Sequence, residues 1–294
     1  MDERESLIER FEVHRPQLQA VAYRMLGSLS EADDAVQDAW LRLNRADTSD
    51  VENLGAWLTT VVARLCLNML RSREHRREEP FDIQVSDPVI SRDSGGDPER
   101  EALMADSVGV ALLVVLDTLP PAERLAFVLH DMFAVPFDEI APMLERSPAA
   151  TRQLASRARR RVKGVTPAPD ADVTRRRRIV DAFLAATRGG DFEALIALLH
   201  PDVVLRADKA VVPTPQPIVV RGAQPVAKGA MAALERAWFT GPAMVDGAVG
   251  LAMAPHGRLR VVLSFTIIEG MITEIDVIAE PDRLSQLDLA VLDA

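Results

Sequence analysis

The chain has 294 residues, more than one small domain needs, so two or three domains are expected. Its composition, 48% hydrophobic and 27% charged, is that of a globular protein, and the absence of a run of about 18 apolar residues argues against a membrane span. A net charge of −10 excludes a protein that coats nucleic acid over its whole surface, and a single cysteine excludes an internal disulfide.

The opening MDERESLIERF is charged and lacks an apolar signal core, so a cytoplasmic protein is expected. From Arg4 to Arg77 the pattern is helical. Leu7, Phe11, Leu18, Val21, Ala22, Met25 and Leu26 recur at helical spacing, Gly27 stops that helix, and Ser30 is placed to cap the next. The second helix carries Ala35, Val36, Ala39, Trp40 and Leu43 and presents an acidic face from Glu31 to Asp38. Such a face suits a basic partner helix, although a merely solvated face has the same composition. A third helix begins around residues 51–53, is apolar through Leu70, carries Thr59, Thr60, Arg64 and Asn68, and ends in arginines over 71–77. That mixture fits phosphate contact and single-strand binding; a core helix with a basic cap is the plainer alternative. Cys66, inside VVARLCLNML, reads as a buried, inert thiol, and no Cys/His spacing suggests zinc.

Residues 78–98, with three prolines and a Gly-Gly, read as a linker. A second helical block spans 99–164. Pro120 and Pro121 open one helix, Pro136 another and Pro148 the last. Residues 136–163 predict a helix-turn-helix: a short helix with Ile140 and Leu144 on one face, a turn over 145–147, and a helix capped by Ser147. In the second helix Leu154 and Val162 are expected to face inward. Arg152, Gln153, Ser156, Arg157 and Arg160 are expected to face outward. Arginine can bond guanine bidentately and glutamine can read adenine, while Arg159, Arg161 and Lys163 suit phosphates.

TPAPD, residues 166–170, is a second linker. Beyond it, helical stretches at 175–187 and 192–199 precede five β-like segments, VVLRA, PIVVRG, VGLAMA, RLRVVLSFTII and MITEIDVIA, with hairpin turns at His256-Gly257 and Glu269-Gly270. An α+β domain with a curved antiparallel sheet is predicted.

GSLSEADDAVQDAWLRL followed by LGAWLTTVVARLCLNMLRSRE resembles the core-binding and promoter-melting domain of extracytoplasmic-function (ECF) sigma factors. LDTLPPAERLAFVLHDMFAVPFDEIAPMLERSPAATRQLASRARRRV resembles the upstream-element reader of the same family, in the family's order. RIVDAFLAATRGGDFEALIALLHPDVVLRAD is similar to the opening of the SnoaL-like, nuclear-transport-factor-like cone fold, a combination found in the SigJ-like subgroup. The resemblance implies a multidomain chain of two all-α sigma domains, the second with the helix-turn-helix, followed by the α+β cone domain. Its divisions are a region 2 domain (1–77), a linker (78–98), a region 4 domain (99–164), a linker (165–173) and a regulatory domain (174–294).

The implied activity is that of an alternative sigma factor, which binds core RNA polymerase and directs promoter-specific initiation without being an enzyme and without a cofactor or metal of its own. The resemblance places Asp33, Asp34, Gln37 and Asp38 against the clamp helices of the polymerase β′ subunit. Asn53, Trp57, Thr60, Arg64, Asn68, Arg71 and Arg73 would hold the −10 element of the promoter DNA, with a base flipped out of the stack and read in a loop pocket. Arg152, Gln153, Ser156, Arg157 and Arg160 would read the −35 element. In the subgroup the cone domain controls the sigma domains of its own chain, and Asp208, Lys209, Pro281, Asp282 and Arg283 occupy its regulatory motifs. Two of those motifs depart from the subgroup's pattern: Asp208 is followed by Lys209, Ala210 and Val211 in place of Gly-Gly-Gly-Lys, and Glu280 to Leu284 replaces Asn-Pro-Asp-Lys-Leu. The linker also lacks the subgroup's aromatic Trp-Leu-Pro stretch.

Two other readings compete. One is a small-ligand-binding or enzymatic cone domain tethered to a helix-turn-helix regulator, with His200, Asp202, Arg206, Asp208, Trp238, His256 and Asp276 as its pocket groups. The other is a repressor-like regulator, which would have no need of the acidic face at 31–38.

Overall fold

The structure, a computed structural model, describes residues 3–46, 51, 53–78, 109–163, 171–211 and 216–292. Nearly all of the 78–98 linker and residues 166–170 lie outside the described residues. The chain forms two compact units, one of residues 1–101 and 118–160, the other of residues 102–117 and 161–294.

The first unit begins with three helices, α1 (Glu3–Leu26), α2 (Leu29–Leu43) and α3 (Leu54–Glu78). Leu18, Val21, Ala22, Met25, Val36, Ala39, Leu58, Val62 and Cys66 close their common core. Gly27 ends α1 as expected: it takes φ 74°, open to glycine at no steric cost, and its N–H bonds the Tyr23 carbonyl at 2.8 Å. The cap of α2 is Ser28, whose hydroxyl accepts from the Glu31 N–H; Ser30, expected in that role, lies inside the helix. The capping bond needs the oxygen three residues before its donor, and helix α2 starts two residues earlier than a cap at Ser30 would set.

The helix-turn-helix follows in the same unit. Helix α5 (Pro121–Phe127), a π-helical turn (Val128–Met132), α6 (Phe137–Leu144) and most of α7 (Pro148–Lys163) build it, each proline at or just before a first turn. Arg124, 3% exposed, donates from Nη1 to the Met25 carbonyl at 2.8 Å and so satisfies one of the acceptors left open at the end of α1.

The second unit contains most of α4 (Val110–Thr118), α8 (Ala171–Gly189), α9 (Phe192–Leu198), α10 (Ala223–Ala232), α11 (Leu234–Ala237), α12 (Pro281–Leu284) and a seven-stranded sheet. The strands are β1 (Leu199–Ala207), β2 (Ile218–Arg221), β3 (Thr240–Val245), β4 (Ala248–Met253), β5 (Val261–Ile268), β6 (Met271–Ile278) and β7 (Leu289–Ala290), in the order β2-β1-β6-β5-β4-β3-β7. All pairs are antiparallel except β1 with β6, so the sheet is mixed where an antiparallel one was predicted. Parallel pairing arises because the chain travels from β1 to β6 through β2–β5 rather than through one hairpin. Helix α8 packs on the sheet, with Phe183 edge-on to Phe265 at 5.4 Å between ring centroids.

Strand β3 carries no strand signal in the sequence because Pro242 interrupts it. Proline is tolerated there because β7 pairs only with Met244 and Val245, leaving the edge beside Pro242 without a ladder partner in the sheet. The turn into β4 is Asp246-Gly247, both at positive φ, the conformation a two-residue hairpin turn requires. A β-carbon at Gly241 would come within 2.9 Å of Val110 Cβ, so the start of α4 lies directly on β3.

Candidate nucleic-acid interface

Helix α2 is amphipathic in the strict sense. Ala32, Ala35, Val36 and Ala39 are buried, and Asp33, Asp34, Gln37 and Asp38 are exposed together on the opposite face. Gln19 Nε2 donates to Asp33 Oδ1 at 2.5 Å and fixes one end of that face. Trp40 is half-buried beside Phe11, 5.0 Å between ring centroids, and anchors the helix.

Asn53 caps α3, its Oδ1 accepting from the Ala56 N–H at 3.0 Å. Trp57, Thr60, Arg64, Asn68 and Arg71 follow at intervals of three and four, which puts them on one stripe of α3. Trp57 and Thr60 are half-buried; Arg64, Asn68 and Arg71 are exposed. Arg73 falls on the opposite side. Its guanidinium donates to the Leu26 carbonyl at 3.3 Å and pairs with Glu31, with 16% of the side chain exposed. Arg73 therefore ties α3 to the junction between α1 and α2. Cys66 is fully buried, and burial pushes its thiol pKa up to about 12, so it is no nucleophile at neutral pH.

In the helix-turn-helix, Glu145 takes the left-handed conformation at φ 55° and ends α6, and Ser147 Oγ accepts from the Ala150 N–H at 3.2 Å to start α7. Arg152, Gln153, Ser156, Arg157 and Arg160 are all exposed, as expected. The inward face is formed by Thr151, Ala155 and Ala158, each fully buried, rather than by Leu154 and Val162, which are half-buried. Small side chains let α7 approach its neighbours closely, which the larger residues would prevent. Three of the arginines also contact the domain. Arg157 Nε donates to Glu123 Oε1 at 2.6 Å, Arg159 Nε to Asp131 Oδ1 at 2.5 Å, and the Arg152 guanidinium lies 5.3 Å from the centre of the Phe137 ring. Glu123 is buried and escaped the sequence reading; its signal was a charged pair, Glu123-Arg124, inside the apolar run PAERLAF.

In the second unit Asp208 is buried and acts as a junction. Its Oδ2 accepts from the N–H groups of Ala279 and Glu280 at 2.7 and 2.8 Å, and its Oδ1 from Ala210 at 3.2 Å. Arg283 Nη1 lies 3.7 Å from Asp208 Oδ2, and Lys209 Nζ lies 3.6 Å from Glu280. The structure thus brings Asp208, Lys209, Pro281, Asp282 and Arg283 into one corner, where the loop after β1 meets α12.

The residues expected to line a pocket are absent from the wall of the described cavity. A cavity of about 360 Å³ lies between the sheet and helices α8, α10 and α11 of this unit, and His200, Asp202, Arg206, Asp208, Trp238, His256 and Asp276 are all absent from its wall. Strand alternation is the reason. Leu205 and Ala207 of β1 and Ile275 and Val277 of β6 face the cavity, so Arg206 and Asp276, paired in register, face away. His200 Nδ1 accepts from the Asp202 N–H, and His256 sits in the turn after β4. Among the described residues no group of three or more His, Cys, Asp or Glu could hold a metal ion.

Residues 10–76 match the Sigma-70 region 2 family and residues 109–162 match Sigma-70 region 4. The chain is 37% identical over 303 residues to the ECF RNA polymerase sigma factor SigJ of Mycobacterium tuberculosis, covering 95% of this chain and 93% of that one. It is 33% identical over 293 residues to the probable ECF RNA polymerase sigma factor SigI of the same organism, covering 98% of each. The crystal structure of M. tuberculosis SigJ aligns over 95% of this chain and 98% of its own, with 33% identity and a TM-score of 0.45. With two sigma domains in order and relatives similar over almost its whole length, the chain belongs to the ECF RNA polymerase sigma factors.

Proposed function

We propose that this alternative sigma factor divides its work among three surfaces. Asp33, Asp34, Gln37 and Asp38 dock on the clamp helices of the polymerase β′ subunit. The α3 stripe of Trp57, Thr60, Arg64, Asn68 and Arg71, opened by Asn53 and held in place by Arg73, receives the melted −10 strand. The exposed face of α7, Arg152, Gln153, Ser156, Arg157 and Arg160, reads the −35 element in the major groove. Promoter opening then follows from differential binding, because a face that holds only unpaired bases favours the open state. The observation that carries this reading is the charge segregation. A wholly exposed acidic face on α2 and a wholly exposed basic face on α7 stand on one chain, which a simple repressor would not need.

We propose further that the C-terminal α+β domain tunes this activity from within the chain. Two observations support it: the first helix of the region 4 match, α4, lies on β3 of that domain, and the Asp208 corner gathers all five residues of the regulatory motifs.

The test is binding to core RNA polymerase. The full chain should co-migrate with core enzyme on a native gel, and Asp34→Arg should weaken that binding about a hundredfold, because like charges facing one another at an interface cost several kcal/mol. Unchanged binding by the variant would refute the docking surface.

A further inference from the structure

The cavity beneath α8, α10 and α11 belongs to none of those three surfaces. At about 360 Å³ it falls in the size range of small-molecule sites. An apolar cavity of about 150 Å³ already stays dry and binds benzene, so this one suits a molecule roughly twice that size. Its wall is aliphatic and aromatic except at one end, where Thr187, Thr240 and Arg236 meet it.

That end has a defined chemistry. Thr187 and Thr240 are each 6% exposed, and both hydroxyl protons are already committed: Thr187 Oγ1 donates to the Phe183 carbonyl at 2.9 Å and Thr240 Oγ1 to the Arg236 carbonyl at 3.0 Å. Arg188 donates from Nε and Nη2 to the Ala237 and Thr240 carbonyls at 3.0 and 2.7 Å, which locks α11 against β3 and fixes this corner. Arg236 is the one charged residue among the described residues of the wall, and its guanidinium has no protein partner among them. A half-buried guanidinium in the wall of an apolar chamber, without a carboxylate partner among the described residues, is a donor awaiting an acceptor. Among the described residues the wall offers no carboxylate, imidazole or thiol.

We infer that the cavity binds a small, largely apolar molecule bearing one carboxylate, its hydrocarbon body between α8 and the sheet and its head group on Arg236. The inference rests on the regulatory reading of this domain for its consequence, since an occupant would act on transcription through that domain. Its chemistry stands apart from that reading.

The probes are decanoate and its neutral counterpart decanol, titrated into the full chain by isothermal calorimetry without polymerase. Both should bind once per chain. Leu263→Trp, which fills the cavity from β5, should abolish both. Arg236→Gln should weaken decanoate about tenfold, the loss expected of one charge-assisted hydrogen bond, and leave decanol within about twofold. Should the tryptophan variant fail to fold, the arginine variant decides alone. Absence of binding by either probe, full binding by a folded Leu263→Trp chain, or an equal effect of Arg236→Gln on both probes would overturn the inference. Such a failure would leave promoter-directed initiation intact. Conversely, a domain that binds decanoate without altering transcription would fail only the regulatory reading.

Discussion

Two arginine-rich helices, α3 and α7, look alike in the sequence and differ in the structure. At the end of α3 the charge is divided: Arg64 and Arg71 face solvent on the stripe with Trp57 and Asn68, whereas Arg73 turns inward to the Leu26 carbonyl and Glu31. On α7 the basic face of Arg152, Arg157 and Arg160 is exposed throughout, and Arg157 stays exposed even while it holds Glu123. Composition tells how much charge a helix carries; only angular position tells whether the fold or a partner receives it.

The sharpest way to break that contrast is Arg73→Gln. It removes a partly buried ion pair and a backbone bond together, so it should destabilise the first unit by about 2–3 kcal/mol in urea titrations, with promoter binding preserved in the fraction that stays folded. Stability equal to the parent would show that Arg73 is free for DNA after all. Arg157→Ala comes next. It should weaken binding to a duplex −35 element by about 1–3 kcal/mol at matched salt. It should also lower stability measurably, since Glu123 would be left buried with less compensation. Arg160→Ala, exposed and without such a bond, should affect DNA binding alone. A smaller effect is expected for Arg71→Gln: binding to single-stranded −10 DNA falls almost uniformly across sequences, and the salt dependence flattens by about one unit of slope.

The smallest effect concerns the buried face of α3. Burial raises the Cys66 thiol to about 12, above the 9.0 of a free thiol, so the native state holds its proton more tightly than the unfolded one. The stability this contributes is full below pH 9 and is lost as pH rises from about 9 toward about 12. Correspondingly, the thiol should resist alkylation at pH 8 until denaturant unfolds the first unit; rapid labelling of the native chain would place Cys66 at the surface.

The elements most legible in the sequence were those marked by backbone chemistry. Gly27, the prolines at 121, 136 and 148, and the cap at Ser147 each impose a dihedral or a hydrogen bond wherever they sit, so the helix-turn-helix could be read directly. The exposed faces of α2 and α7 followed from helical period alone. Strand β3 was hidden because Pro242 argues against a strand unless the edge beside it is known to lack a ladder partner, and that is a fact of tertiary structure. The pocket was misread for the opposite reason. Polar residues were chosen for their chemistry, although the period of two in VVLRAD and TEIDVI already sent Arg206 and Asp276 to the face opposite Leu205 and Ile275. The inward turn of Arg73 was likewise available from spacing, two residues past Arg71 and half a turn away from its stripe. Glu123 was only half legible: the charged pair Glu123-Arg124 inside an apolar run marks it, but nothing local points to Arg157, 34 positions later, which donates to it.

On the proposed reading, the acidic face of α2 and the basic face of α7 together make core RNA polymerase start at chosen promoters. Run-off transcription with purified core enzyme, this chain and a pool of genomic fragments tests it most directly. Discrete start sites that require both the chain and core enzyme, and that disappear with Asp34→Arg, are the predicted result. A chain that binds core polymerase yet produces no start above core enzyme alone, on any fragment of the pool, would contradict it.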